Sequence, residues 1–359
     1  MIVKHYGFHT PPHGTIDMLK HIKFTQPPVV YIIDPLAGEE LPYGELAELD
    51  KSNLFVIIQT GEGHSHRQFD ILLDRLINES KVIANHITTY TGCLYDPETS
   101  INYIGTIVPH VGITLDMSGD TFTTVTPTHH YVCLNRYPRW QRYAIVEQLL
   151  DRELDKFGKI SYGAGLTVER FQSMVKHDKS LAVADRYYNR LPMYLDGPVS
   201  LEQGYEINNN DIAGALFAVV TESSYEEHYL ETPPFEFQTL PTLSEKTYKA
   251  FILGQIPIIV GSRYTVQCTR EFGFDMFDDV IDHTIYDTEE DPIKRIQLIA
   301  DQVEKICTMP VEELVALKEK LKPRLENNFK RLQYWAFNTR ADIPRWSEYF
   351  NKLGVTDAG

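Results

Sequence analysis

The sequence has little cysteine. Among its 359 residues are only four cysteines, Cys93, Cys133, Cys268 and Cys307, and no two of them form a Cys-x-x-Cys pair. Thiols scattered in this way indicate neither a disulfide framework nor a set of zinc ligands. We therefore expect buried, structural cysteines in a reducing compartment.

Long apolar runs are absent as well. No stretch approaches the roughly 18 consecutive apolar residues that indicate a membrane-spanning helix. The first residues, MIVKHYGFHTPPHG, also lack the apolar core of a secretory signal. The sequence therefore predicts a soluble, cytoplasmic protein without a membrane partner.

Basic residues are outnumbered by acidic ones. The chain has 34 lysines and arginines against 50 aspartates and glutamates, a formal net charge of −16. This balance opposes non-specific adhesion to nucleic acid or to anionic lipid, although a local basic groove remains compatible with it. The 43% of hydrophobic residues are enough for a sizeable core, and the length predicts about two domains.

Apolar segments with strand and helix periodicity alternate along the chain. VVYIID (29–34) and LFVIIQT (54–60) read as buried strands, and Phe69, Leu72, Leu73 and Leu76 recur at helical spacing. A second series begins at HYVCLN and continues through KISYG, ALFAVV and IPIIVG, with helical segments between these strands. Such alternation predicts an α/β fold with parallel sheets.

A polar segment over about 100–128 separates the two series. We predict one domain over 1–125, a second over 129–330, and C-terminal helices over 331–359 that pack back across the junction.

The stretch LSEKTYKAFILGQIPIIVG (243–261) has an acid and a base at the start of an amphipathic helix. Thr242 or Ser244 can cap this helix, and Gly254 stands where a left-handed residue would end it. A lysine in the first turn opposes the helix dipole unless an anion is bound there. Lys246 would then neutralise a diphosphate while Glu245 accepts hydrogen bonds from ribose hydroxyls. Without a ligand, Glu245 complements the dipole and Lys246 is solvated.

Further charged residues follow predicted strands of the second series. Glu222 ends the strand ALFAVVTE, where a glutamate either faces the ligand crevice or serves as a cap or loop carboxylate. Arg136 and Arg139 lie in a strand-to-helix loop and Arg142 lies on the following helix, so each is a candidate phosphate ligand. Arg142 can equally be a solvated residue of an amphipathic helix.

The stretch FAVVTESSYEEHYLETPPFEFQTLPTLSEKTYKAFILGQIPIIVG (217–261) resembles the donor-binding signature of the α-1,3-fucosyltransferases and related exostosin-like enzymes. YVCLNRYPRWQRYAIVEQLLDRELDKFGKISYG is similar to the family's upstream elements, which include an arginine on a helix and a Tyr-Gly pair near the next strand. Glycosyltransferases of tailed phages have similar motifs. The resemblance implies a GT-B fold, with two Rossmann-like domains facing a cleft.

The resemblance also implies roles for single residues. Glu222 matches the first glutamate of the signature, Glu245 and Lys246 match its Glu-Lys pair, and Arg142 matches the arginine that contacts phosphate. Ser223 stands where the family has asparagine. That departure leaves the donor open between a UDP-sugar and a GDP-sugar.

No Asp-x-Asp sequence, which metal-dependent enzymes of the other glycosyltransferase fold usually have, occurs in the chain. Sugar transfer needs the charge of the leaving group to be neutralised and the acceptor hydroxyl to be deprotonated. We therefore expect inverting transfer without a metal, in which lysine and arginine replace the cation.

The base is expected beyond the strands of the first domain. The loop GEGHSH after LFVIIQT contains Glu62, the leading candidate, and His64, the second, and Asp34 ends VVYIID. His66 is a further loop histidine; with His64 it gives too few ligands for a credible metal site. His9 and His13 either line the same mouth or lie in a polar turn.

Two acceptors and one non-enzymatic function stay open. A glycan acceptor agrees with the acidic charge. If the chain is phage-encoded and acts in the host cytoplasm, a 5-hydroxymethylpyrimidine base in DNA is the other acceptor, bound by clusters such as RYPRWQR and NNFKRLQYWAFNTR. The alternative is a non-catalytic protein with the same fold that binds a nucleotide sugar or a glycan.

Overall fold

The structure is a computed structural model that describes residues 1–6, 16, 19–33, 41, 43–60, 72–91, 102–105, 122, 125–135, 139–162, 210–222, 225, 241, 243–337 and 343–356. Outside these ranges lie five candidate site residues, Asp34, Glu62, His64, Arg136 and Ser223, and also the histidines His9, His13 and His66. The roles predicted for these five residues therefore stay predictions.

The first sheet has five parallel strands whose order in the sheet follows the chain. They are β1 (Ile2–Tyr6), β2 (Val29–Ile33), β3 (Leu54–Thr60), β4 (Ile87–Thr91) and β5 (Asn102–Gly105). The strands predicted at 29–34 and 54–60 are confirmed as β2 and β3. Helix α1 (Tyr43–Glu48) lies between them, and a π-helical segment, Arg75–Glu79, precedes β4.

The second sheet has four parallel strands in the order β7-β6-β8-β9. They are β6 (His129–Asn135), β7 (Gly158–Tyr162), β8 (Ala215–Thr221) and β9 (Ile256–Val260). Helix α2 (Trp140–Asp151) follows β6, α3 (Asn210–Ala213) precedes β8, and α4 (Glu245–Ile252) joins β8 to β9. The predicted α/β class with parallel sheets is confirmed.

The strand order of the second sheet reverses between β6 and β8. Numbered along the chain it is 2-1-3-4, which is the order of a doubly wound sheet. Right-handed crossovers in opposite directions place α2 and α4 on opposite faces of the sheet. Their first turns therefore meet at the carboxyl ends of the central strands, where such sheets bind ligands.

Five helices follow β9: α5 (Thr265–Glu271), α6 (Thr284–Asp287), α7 (Pro292–Ile306), α8 (Val311–Phe337) and α9 (Ile343–Lys352). In α7 the apolar residues Ile296, Ile299, Val303 and Ile306 recur at helical spacing and are buried. Asp291 caps this helix by accepting hydrogen bonds from the next two free backbone N–H groups, and Pro292 fills its first position. The boundary predicted between 330 and 331 lies inside α8.

The C-terminal helices pack against different sheets. Helix α8 contributes Leu314, Leu321 and Leu325 to the core of the second sheet. Helix α9 instead covers the first sheet, where Trp346 and Phe350 pack in a cluster with Val30, Ile32, Phe55 and Ile57. The Tyr349 hydroxyl also donates a hydrogen bond to the carbonyl oxygen of Asn85, at 2.9 Å.

Two expectations from composition concern the described residues directly. None of the helices described combines the length and the apolarity needed to cross a membrane. Cys133, Cys268 and Cys307 are buried and form no disulfide, as expected of structural cysteines. Cys93 lies outside the described residues.

Candidate functional site

Helix α4 begins and ends where its sequence predicts. Ser244 is the N-cap, with an extended backbone and a side-chain oxygen that accepts a hydrogen bond from the Lys246 amide, at 3.4 Å. Gly254 has φ +57°, in the left-handed region. The amides of Gly254 and Gln255 donate back to the carbonyls of Phe251 and Ala250, at 3.3 and 2.8 Å. These two bonds form a Schellman motif that stops the helix.

Glu222 follows β8 directly and is fully buried. Its carboxylate accepts hydrogen bonds from the backbone amide of Ser244 at 3.1 Å, from the Ser244 hydroxyl at 2.5 Å and from the Thr247 hydroxyl at 2.5 Å. The expectation that this carboxylate faces an open crevice is therefore wrong, and the reading as a cap carboxylate describes it. The reason is strand alternation, which puts residues 218, 220 and 222 on the α4 face.

Hydrogen bonds also link the strand ends to α2. The side-chain amide of Gln141, in α2, donates to the backbone carbonyl oxygen of Glu222 at 3.3 Å. The Thr221 hydroxyl donates to the side-chain oxygen of Asn135 at 2.6 Å. The backbone N–H of Asn135 donates to the Ser161 hydroxyl at 3.3 Å. The carboxyl ends of β6, β7 and β8 and the first turns of both helices are thus held in one hydrogen-bonded frame.

Arg142 lies on α2 within this frame. Arg142 is only 3% exposed. The alternative interpretation, in which Arg142 is a solvated residue of an amphipathic helix, is therefore wrong. Burial lowers the pKa of Arg142 to about 10 and the neighbouring Arg139 adds to this, while Glu222, Glu245 and Tyr162 act in the opposite direction. The nearby carboxylates therefore do not fully offset the cost of burying this cation. A bound anion would favour its charged form further.

Glu245 and Lys246 lie together at the start of α4 and remain partly open to solvent. The Lys246 amine is 2.9 Å from the Glu245 carboxylate and 3.1 Å from the Ser244 hydroxyl. The two side chains are 27% and 25% exposed. Partial burial acts to raise the pKa of Glu245, but the charge and hydrogen bond of Lys246 outweigh it, so the pKa lies below its usual value. The Glu245 carboxylate is therefore ionised at neutral pH.

Tyr162 also belongs to this frame. It is the tyrosine of the Tyr-Gly pair that the resemblance points to, although no binding role is predicted for it from the sequence. It is the last residue of β7, its register partner in β6 is Asn135, and it is 2% exposed. Arg142 and Tyr162 interact electrostatically, and each stabilises the charged form of the other. The signal in the sequence is its place at a strand end that the fold directs to the same edge as Asn135.

The other candidate residues lie outside the described residues. Strands β2 and β3 end at Ile33 and Thr60, so Asp34 and the loop with Glu62 and His64 come directly after strand ends in the chain. Arg136 and Ser223 likewise come one residue after Asn135 and Glu222. Within the described part of the chain, no three histidine, cysteine, aspartate or glutamate side chains are grouped so that they could hold a metal ion.

Comparisons with protein-family models, with curated proteins and with solved structures give no match for this chain.

Proposed function

We propose that the chain is a glycosyltransferase of the GT-B type. In this proposal residues 129–330 hold a nucleotide-diphosphate sugar, residues 1–125 hold the acceptor, and the two Rossmann-like domains face a cleft. One observation carries it: Arg142 of α2 and the Glu245–Lys246 pair of α4 converge where the strand order of the second sheet reverses. This is the position at which doubly wound sheets bind nucleotides.

The charges at this position suit a diphosphate. The first turn of a helix has backbone N–H groups without helical partners and a partial positive charge. Lys246 adds a full positive charge to the first turn of α4, and the buried Arg142 adds a second from α2. Together these groups can neutralise phosphate oxygens as the first turn of a helix does in other proteins. Glu245 then lies where ribose hydroxyls can donate to it.

The same groups support the transfer step. When the bond between the anomeric carbon and the diphosphate breaks, negative charge builds up on the leaving oxygen, and Lys246 and Arg142 are placed to stabilise it. A metal is not needed for that role. The acceptor hydroxyl attacks from the opposite side and gives its proton to Glu62, the first candidate, or to His64 or Asp34. The acceptor is a glycan or, in a phage-infected cytoplasm, a 5-hydroxymethylpyrimidine base in DNA.

A thermal-shift screen tests the donor site. The purified protein is heated with UDP-, GDP-, ADP- and CMP-sugars in the presence of EDTA, and the best donor is tested again with Lys246→Ala. We expect one donor to raise the melting temperature of the wild type but not of this variant. Lys249→Ala is the matched control, because it removes the same charge from the last turn of the same helix and should keep the shift.

Turnover with the stabilising donor tests the reaction. Sugar transfer is measured to glycans and to hydroxymethylated DNA, with Glu62→Gln, His64→Asn and Asp34→Asn in parallel. The variant that loses turnover while keeping the thermal shift identifies the base. If no donor shifts the wild type, the proposal is wrong. A donor that binds without turnover on any acceptor would instead support the non-catalytic binding protein.

A further inference from the structure

The hydroxyl of Tyr162 is a buried polar group without a hydrogen bond. Among the residues that the structure describes, its Oη has no hydrogen-bond partner, although the residue is only 2% exposed. A buried donor that is left unsatisfied costs free energy, and native proteins rarely retain one without a reason. An acceptor that arrives with a ligand is one such reason.

The surroundings of Tyr162 indicate what kind of acceptor would bind there. Burial raises the pKa of its phenol above the usual value, so the hydroxyl keeps its proton and can act as a donor. The positive charge of Arg142 interacts electrostatically with the Tyr162 side chain. An oxygen that approaches both groups would receive a hydrogen bond and meet a positive charge, which is the environment of a bound phosphate.

We propose that Tyr162 is a binding residue of the donor site and donates its hydroxyl proton to a phosphate oxygen that Arg142 also binds. This rests on the proposed donor site at the start of α4. It adds the carboxyl end of β7 to that site, so the diphosphate is held on both sides of the β6 strand end. Without a ligand, the unsatisfied hydroxyl of Tyr162 lowers the stability of the protein. With the donor bound, the same hydroxyl increases the affinity for the diphosphate.

Tyr131 provides a matched comparison. It is also fully buried and its hydroxyl also lacks a hydrogen-bond partner among the described residues. It lies four residues before the end of β6, roughly 13 Å from the carboxyl edge at about 3.3 Å per residue. Its ring packs over Gly158, where an added Cβ would come within 2.5 Å of it. Tyr131 has no place in the proposed site.

The test compares Tyr162→Phe with Tyr131→Phe. Affinities for inorganic pyrophosphate, UDP and GDP are measured by calorimetry in EDTA, and melting temperatures are measured without ligand. Both variants lose an unsatisfied hydroxyl and keep the ring, so we expect the ligand-free protein to melt at the same temperature or about 1–3 °C higher. Only Tyr162→Phe should weaken binding, by about tenfold for a hydrogen bond to a charged group.

Each other outcome overturns the proposal in a way that can be told apart. If Tyr162→Phe binds like the wild type while Lys246→Ala does not bind, the donor site stands and the role of Tyr162 is wrong. If Tyr162→Phe lowers the melting temperature of the ligand-free protein by several degrees, the hydroxyl is bonded within the protein. If the wild type binds none of the three probes, the donor site fails and the role of Tyr162 fails with it.

Discussion

Glu222 carries a negative charge into the protein interior, where a carboxylate is stable only if enough donors surround it. Three donors of Ser244 and Thr247 do so, and all of them belong to the N-cap and first turn of α4. Because Ser244 also caps the Lys246 amide, the position of the first turn follows from the position of the carboxylate. Glu222 is in this sense a positioning residue for the first turn of α4.

The first prediction concerns this carboxylate. Glu222→Gln keeps the shape of the side chain but removes its charge and turns an N–H₂ group toward a donor. We expect the free energy of unfolding to fall by about 1–3 kcal/mol, the cost of leaving a buried donor without its partner. Urea denaturation measures it, with the exposed Glu319→Gln on α8 as control. A change equal to that of the control would mean that the carboxylate does not hold the helix.

The second prediction concerns pH and His283, which is fully buried. One ring nitrogen lies 2.7 Å from the Met276 carbonyl and the other 2.5 Å from the Tyr286 hydroxyl, so the neutral ring is satisfied. Burial lowers the pKa of His283 from 6.5 to about 4. Between these values only the unfolded chain takes up the proton. The contribution of His283 to the free energy of unfolding should therefore be fully present above pH 6.5. It should fall by about 3 kcal/mol as the pH decreases to 4.

Comparing variants distinguishes the titration of His283 from that of carboxyl groups, which also take up protons as the pH approaches 4. His283→Gln can still donate to Met276 and accept from Tyr286, but it does not titrate. The slope of unfolding free energy against pH between 6.5 and 4 should become smaller in this variant. The exposed His21→Gln should keep the wild-type slope. Equal slopes in the wild type and in His283→Gln would contradict the buried neutral ring.

At the scale of elements, the ends of α4 determine where the site lies. The cap at Ser244 starts the helix at the carboxyl edge of β8, and the Schellman motif at Gly254 returns the chain into β9. An α4 that ended a residue later would shift the register of β9. The two termini therefore fix both the site and the strand beside it.

The third prediction tests the C-terminal end of this helix. Gly254 has φ +57°, and an alanine there meets a steric cost of about 1–2 kcal/mol. Gly254→Ala should therefore lower the free energy of unfolding by that amount in urea titration. Gly44→Ala in α1 is the control, because an added Cβ there meets no atom within 4 Å, and it should be neutral or stabilising by up to about 1 kcal/mol. Similar effects of the two substitutions would argue against the left-handed end.

Some elements could be predicted from the sequence and others could not. The sequence predicts strands β2, β3, β6, β8 and β9 from continuous apolar runs, which are typical of strands buried on both faces of a parallel sheet. It also predicts β7, from KISYG in the second series. The segments IVKHY, ITTYT and NYIG of β1, β4 and β5 mix polar and apolar residues. Their strand structure comes from pairing with segments distant in sequence, which local preference does not contain.

The site divides in the same way. The positions of Glu245 and Lys246 could be predicted, because caps and helix starts depend on neighbouring residues. The burial of Arg142 and Tyr162 could not, since it depends on how α2 packs on strands from elsewhere in the chain. The inward turn of Glu222 lies between these cases, because the alternation of 218, 220 and 222 already places it with α4.

At the scale of the whole molecule, the chain returns from the second sheet to the first. Helix α8 packs with the second sheet and α9 packs on the first. Beyond α9, the amide of Thr25 donates to the carbonyl of Val355 at 3.0 Å, which fixes the end of the described chain beside the first sheet. The first sheet, whose last strand ends at Gly105, is thus completed by a helix that begins only at Ile343.

The guanidinium of Arg345 joins α9 to two aromatic residues in the core of the second sheet. The guanidinium carbon of Arg345 lies 5.0 Å from the ring centre of Phe272 and 5.5 Å from that of Trp335. The Trp335 indole in turn donates to the Phe272 carbonyl at 3.1 Å. Arg345 therefore links a helix on the first sheet to α8 and to the end of α5. Any relative motion of the two sheets would strain or break this contact.

The fourth prediction follows from that link. Arg345→Ala removes both cation–π contacts, together worth about 1–2 kcal/mol, so local opening of α9 should become easier. Hydrogen exchange of residues 343–352 should be roughly 5–30 times faster, while that of β6 and β8 should not change. Lys352→Ala, which removes only an ion pair with Glu348 on the same helix, should leave exchange unaltered. If α9 exchanges at the wild-type rate in Arg345→Ala, then packing on the first sheet alone holds this helix, and the cation does not couple the two sheets.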